Sequence, residues 1–249
     1  MSGTSSILPV FLDFTHSGLS RAAGLTYPSS PRADWNAAAM YRVMRSQVSE
    51  VPIAALICDT RSMRSAMTVA DKLTGPSDWR PCVIALVVEA REGAADASDI
   101  RALHATCTSV IVGTEGELCA AAHALVGLCS HRGWIAVHPE DVANLLRAGG
   151  IFRAGTATGT RADIGRLAAQ ASECADSLDS RYVLVHLEVS DADNVLFDLN
   201  NVVEQATGDP PDPNGVVWAY TVRAAAECRV TIFAACLRNC SVESTEPPP

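Results

Sequence analysis

Three apolar runs decide the fold: Tyr182-Val-Leu-Val-His-Leu-Glu188, Val216-Val-Trp-Ala-Tyr220 and Arg229-Val-Thr-Ile-Phe-Ala-Ala235. Each is short and rich in β-branched and aromatic residues, as strands are. Residues 182–189 alternate well enough to predict a half-buried strand. Residues 194–207 between the first two runs have helical period, and Gly208-Asp-Pro-Pro-Asp-Pro-Asn-Gly215 is a breaker-rich loop. Ahead of them, residues 151–157 read as a strand and Gly159 opens a turn into a helix over 161–178. From Gly149 onward the order is therefore strand, helix, strand, helix and two strands.

Upstream, strands and helices alternate. Residues 8–14 predict a strand, and a helix starts near Asp34 with Ala38, Tyr41, Met44 and Val48 near one face. Residues 52–58 and 82–88 are continuous apolar runs, the pattern of parallel strands buried on both faces. Helices follow at 62–73 and 98–107, a short strand at 109–112 and an Ala-rich helix at 118–129. A further helix over 139–147 has Pro139 in its first turn and ends at Gly149-Gly150. The alternation predicts an α/β fold with a mostly parallel sheet.

The 249 residues carry a net charge of −9 without a Lys/Arg cluster, which argues against nucleic acid or an anionic membrane surface as partner. No apolar run is long enough to span a bilayer, and the N-terminus lacks the pattern of a secretion signal. The nine cysteines, mostly inside apolar segments, read as reduced cytoplasmic thiols. Cys119 and His123, one helical turn apart, with Cys129 and His131, have the chemistry of zinc ligands. Their apolar, Ala-rich setting favours core thiols, and no metal is expected. Cys107 and His104 share a helix face but lack a third catalytic member. No phosphate loop, nucleophile elbow or zinc-protease motif occurs.

The C-terminal segments, taken in order, resemble the second domain of the FtsZ/tubulin superfamily. Gly155-Thr-Ala-Thr-Gly-Thr-Arg-Ala162 is similar to that family's strand end and glycine turn. Residues 182–188 resemble its central strand, 194–204 its last helix, and 216–220 with 229–232 its closing hairpin. Fainter resemblance continues upstream: Gly133-Trp-Ile-Ala-Val-His-Pro-Glu-Asp-Val142 is similar to the family's catalytic loop, and residues 51–73 to the region around its signature loop. The resemblance implies an incomplete Rossmann-like parallel-sheet domain at 7–132, a linking loop and helix at 133–148, a smaller α+β domain at 149–240 and a disordered tail at 241–249. It also implies that the chain starts partway into the GTPase domain, without the first phosphate loop, and that its central helix is shortened.

Where the family writes a run of glycines, this chain has Asp59-Thr-Arg-Ser-Met-Arg-Ser65. Only glycine lets a backbone approach phosphates closely, so side chains from Asp59, Thr60, Arg61, Ser62 and Arg64 would fill the path. In the catalytic loop, Ala136 stands at the asparagine position and His138 at the first acid. Only Asp141 matches the second acid, with Glu140 beside it. The expectation is a pseudo-GTPase with no cofactor that works through head-to-tail contacts with itself or an FtsZ-like protein. Glu140 and Asp141 can equally be exposed acids favoured by a helix dipole. A different reading makes the chain an α/β enzyme or small-molecule binder, with Asp59, Arg61, Arg64 and Glu89 at the strand ends.

Overall fold

The computed structural model describes residues 9–15, 53–74, 81–89, 96–129, 137–178, 180–207, 215–223 and 227–236. The helix expected from Asp34, His131, Ala136, most of the loop at 208–215 and the tail lie outside them.

Eight strands form one sheet: β1 (Val10–Asp13), β2 (Ile53–Cys58), β3 (Cys82–Val88), β4 (Ser109–Gly113), β5 (Ile151–Gly159), β6 (Val183–Val189), β7 (Val216–Val222) and β8 (Cys228–Ala235). Their order is β1-β2-β3-β4-β5-β8-β6-β7. Every pairing is parallel except those of β8, which runs antiparallel to β5 and β6. The apolar runs at 53–58 and 82–87 are buried at every residue, as expected of parallel strands covered on both faces.

The described helices are α1 (Met63–Thr74), α2 (Ala97–Thr106), α3 (Glu115–Cys129), α4 (Pro139–Gly149), α5 (Ile164–Ala175) and α6 (Val195–Thr207), with a 3₁₀ turn at Arg161–Asp163 leading into α5. Strand parity sorts them into two layers. Odd residues of β5 and β6 meet α5 and α6, while Val83, Ala85 and Val87 meet α1 and α2 on the same side of the sheet. The opposite face belongs to α3 and α4, through Leu118, Ala121, Leu125, Leu128, Val142 and Leu146.

α3 is the cross-brace. It touches β3, β4, β5, β6, β7 and β8. Its alanines hold it close to the sheet, and Gly127 permits the closest point: a Cβ there would stand 2.2 Å from Nε2 of His186. At the other end of α4, Gly150 takes a positive φ of 71° and turns the chain into β5. The Gly150 carbonyl accepts from Ser109 Oγ at 2.7 Å and from the Val110 N–H at 2.9 Å, stitching β4 to β5.

Three sequence expectations are corrected. The last two strands are not a hairpin: β8 inserts between β5 and β6, and β7 pairs with β6. Residues 183–189 are buried throughout rather than half-buried, because helices cover both faces and the polar His186 and Glu188 find partners inside. The helix expected at 118–129 begins earlier, at Glu115, where Thr114 and Glu117 form a capping box.

α5 packs on β5 over Gly155, where an added Cβ would lie 2.1 Å from the Ala171 carbonyl oxygen. Gly165 on the same helix faces open space. Gly155→Ala is expected to lower unfolding free energy by about 2–3 kcal/mol through overpacking. Gly165→Ala is expected to raise it by roughly 0.5 kcal/mol through helix propensity. Urea denaturation of both variants checks the pair, and equal effects would contradict the packing.

Candidate functional site

In a parallel α/β sheet, ligands gather at the carboxyl ends of the strands, where helix N-termini offer backbone N–H groups to anions. In this chain several of those donors are held by the chain's own side chains. Asp59, directly after β2, turns its carboxylate onto the start of α1. Its Oδ1 accepts from the Ser62 N–H at 2.8 Å, the Ser62 hydroxyl at 2.6 Å and the Arg61 N–H at 3.1 Å. Partial burial opposes its ionisation, but the bonds from Ser62 and Arg61 outweigh that and hold the carboxyl below its usual range. Thr60, Arg61 and Arg64 point to solvent. The loop 59–65 is thus a side-chain-capped turn.

α2 repeats the arrangement, and α3 starts in a capping box instead. Asp96 accepts from the Ser98 N–H at 3.0 Å at the start of α2. Glu117 accepts from the Thr114 N–H at 2.7 Å at the start of α3. The ends of β1 and β3 add Asp13, which accepts from the Thr15 N–H and hydroxyl, and Glu89, whose Oε2 lies 3.3 Å from Arg153. A row of carboxylates therefore lines this edge, and the polar groups proposed for a small-molecule site, Asp59, Arg61, Arg64 and Glu89, do not converge on a described cavity.

The residues at the catalytic-loop positions stand on α4. His138 is its N-cap, accepting at Nδ1 from the Glu140 N–H at 3.3 Å, and His138, Glu140 and Asp141 are all exposed on one turn. The middle of that helix, at Ala143, already lies against Cys82 at the amino end of β3, with its carbonyl 3.9 Å from the thiol. The structure does not bring this turn together with Asp59.

The thiol readings change in the fold. Cys107 and Cys129 are buried, and burial pushes both thiols up to about 12, far from a reactive thiolate. Cys119 and His123 are half-buried on α3, and no cluster of three potential metal ligands forms among the described residues.

One feature was not foreseen. An open polar depression of 660 Å³ lies at the carboxyl ends of β5 and β6, lined by Arg161, Asp191, Asp193, Asn194, Phe197 and Asp198. Arg161 is fully engaged there, with Asp191 and Asp198 each at 2.5 Å and the Asp193 carbonyl as a third acceptor. Its hydrogen bond holds the Asp191 carboxyl below the usual range. The visible signal was the Gly159-Thr-Arg161 turn, read as the lead-in to a helix, together with the acids Asp191 and Asp193.

A second polar group sits under α3. His186 is buried, with Nε2 2.9 Å from the Thr221 hydroxyl and no partner at Nδ1 among the described residues. His123, Glu188 and Arg229 surround it electrostatically, and Glu188 is held by Arg223 and Arg229 at 3.3 and 3.4 Å. Burial pushes the imidazole down to about 4, partly offset by Glu188.

No protein-family model matches the chain, and no curated protein matches it. Solved structures do. An FtsZ dimer from M. jannaschii superposes with a TM-score of 0.63 at 18% identity, covering 81% of this chain and 68% of that one. The FtsZ W319Y mutant from the same organism gives 0.62 at 16% identity, over 81% and 70%. CetZ2 from Haloferax volcanii, a GTPγS-bound protofilament, gives 0.53 at 13% identity, over 80% and 72%. The chain has an FtsZ/tubulin-like fold.

Two measurements test these assignments. Asp59→Ala is expected to cost about 1 kcal/mol as a lost N-cap, read by chemical denaturation. His186 binds its proton less readily folded than unfolded, so its neutral form supports stability above about pH 6.5, and that support drains as pH falls towards 4. The loss is on the order of 3 kcal/mol. His186→Gln should flatten the slope of stability against pH over that window, and parallel slopes would contradict the assignment.

Proposed function

We propose that this chain is a non-catalytic FtsZ/tubulin-like protein, a pseudo-GTPase that acts through protein contacts. One observation carries the reading: the first N–H groups of the turn into α1 are held by the Asp59 carboxylate, and Asp96 likewise holds the Ser98 N–H of α2. A phosphate entering at α1 would have to displace a carboxylate that already holds the donors, beside further negative charge. Nothing else in the loop 59–65 offers glycine backbone in compensation.

What the fold retains is its scaffold and its surfaces. On this reading residues 149–240 are the preserved second domain and residues 7–132 the shortened first, working in the cytoplasm. The exposed turn of His138, Glu140 and Asp141 contacts the next subunit head-to-tail, either a second copy or an FtsZ-like filament. CetZ2 of similar fold was captured as a GTPγS-bound protofilament; here assembly would proceed without nucleotide.

Calorimetric titration with GTP, GDP and ATP is expected to show no binding tighter than about 1 mM. Light scattering, alone and with purified FtsZ, should rise with protein concentration and be indifferent to GTP. Micromolar binding of any nucleotide would sink the pseudo-GTPase reading, and an inert monomer in both assays would sink the assembly reading.

A further inference from the structure

We infer that β7 is a pairing edge for a second copy of this chain, joining two molecules across a two-fold axis by antiparallel β7–β7 hydrogen bonds. This goes beyond head-to-tail contact and uses a different part of the molecule.

β7 ends the sheet, with β6 as its single strand neighbour among the described residues. Its sequence is Val216-Val-Trp-Ala-Tyr-Thr-Val222, without charge, proline or glycine. Natural edge strands are guarded by just those features, or by brevity. The opposite edge shows the contrast: β1 has four residues, all buried, and ends on a buried aspartate. Val216, Val217 and Trp218 are only partly covered and Val222 is 49% exposed.

The backbone fixes which groups face outward. The Arg223 N–H donates to Val189, and the Gly215 carbonyl accepts from Val183, both on the β6 side. N–H and C=O of one residue point the same way in a strand, and the direction alternates. Odd residues of β7 therefore serve β6, and Val216, Trp218, Tyr220 and Val222 direct both backbone groups away from it.

This set is self-complementary. An antiparallel copy centred on Ala219 sets Trp218 opposite Tyr220 of the partner subunit and Val216 opposite Val222 of the partner subunit. Each of these becomes a pair exchanging two hydrogen bonds, while the small Ala219 lies on the axis as a close, non-bonded pair. Every outward group is satisfied, and the half-covered Trp218 gains an aromatic cross-strand neighbour. A parallel copy fails on two counts. Its ladder needs a one-residue offset, as β6 and β7 show, which breaks two-fold symmetry. It would also bring Arg223 close to its own counterpart. Because the pairing joins the same edge of both molecules about a two-fold axis, it closes at two molecules.

Proline tests the assignment selectively. At Val216 or Val222 it removes an N–H that β6 does not use, a tolerated placement on an edge strand. Light scattering coupled to size exclusion on the full chain, run below the concentration at which head-to-tail assembly sets in, is expected to give twice 26.2 kDa. Val216→Pro and Val222→Pro should each weaken the dimer by roughly tenfold or more, with far-ultraviolet dichroism unchanged. If both variants unfold, hydrogen exchange on the wild type decides: protection at 216, 218, 220 and 222 must rise with protein concentration. A monomer at every concentration, a dimer indifferent to both prolines, polydisperse aggregates in place of a dimer, or concentration-independent protection of those amides would each overturn the inference.

Discussion

The close seat of α3 on the sheet is the constraint on which the rest depends. A helix can lie this near a sheet only where its facing side chains are small, and α3 presents Ala121, Ala122, Ala124 and Gly127 there. Its larger residues, Leu118, Leu125 and Leu128, fill the gaps beside them at full burial. Since the helix crosses from β3 to β7, one packing surface couples strands from both halves of the chain. The cost of that proximity is visible at His186, an imidazole trapped between Gly127 and Thr221 with one nitrogen unpaired.

The carboxyl edge shows how a fold and its chemistry separate. The sheet and its two helix layers have an FtsZ/tubulin-like fold. At its carboxyl edge, the first N–H groups at α1 and α2 are held by Asp59 and Asp96 of the chain itself. A carboxylate from the chain is bound intramolecularly, with no loss of translational freedom, and so competes effectively with a diffusing anion. On the function proposed above, the residues that cap α1 and α2 are also the residues that close the edge.

Much of this was legible in the sequence, for identifiable reasons. The runs at 53–58 and 82–88 announced buried parallel strands because both faces of the sheet are covered, so no polar residue interrupts them. Strand order was less legible. That β8 leaves β7 and enters between β5 and β6 depends on long-range pairing, to which local propensity is blind. The polar letters of His186 and Glu188 suggested a wet face for β6, but their partners Thr221, Arg223 and Arg229 come from neighbouring strands. The start of α3 was missed although Thr114-x-x-Glu117 is a recognisable box, and the Arg161 cluster because its acids arrive from the segment after β6 and from α6.

The position of β8 has a kinetic consequence. It is the last strand of the described sheet to be synthesised, yet it occupies an interior place with β5 and β6 as its partners. The pairing of Phe152 with Ala235 closes a loop of most of the second half of the chain, and such non-local contacts slow folding. Until β8 arrives, β5 and β6 each present a bare edge, and His186 and Glu188 lack the strand that carries Thr231 and Arg229. The nascent chain therefore passes through a stage with two reactive edges and a half-built polar interior, the kind of species that chaperones capture.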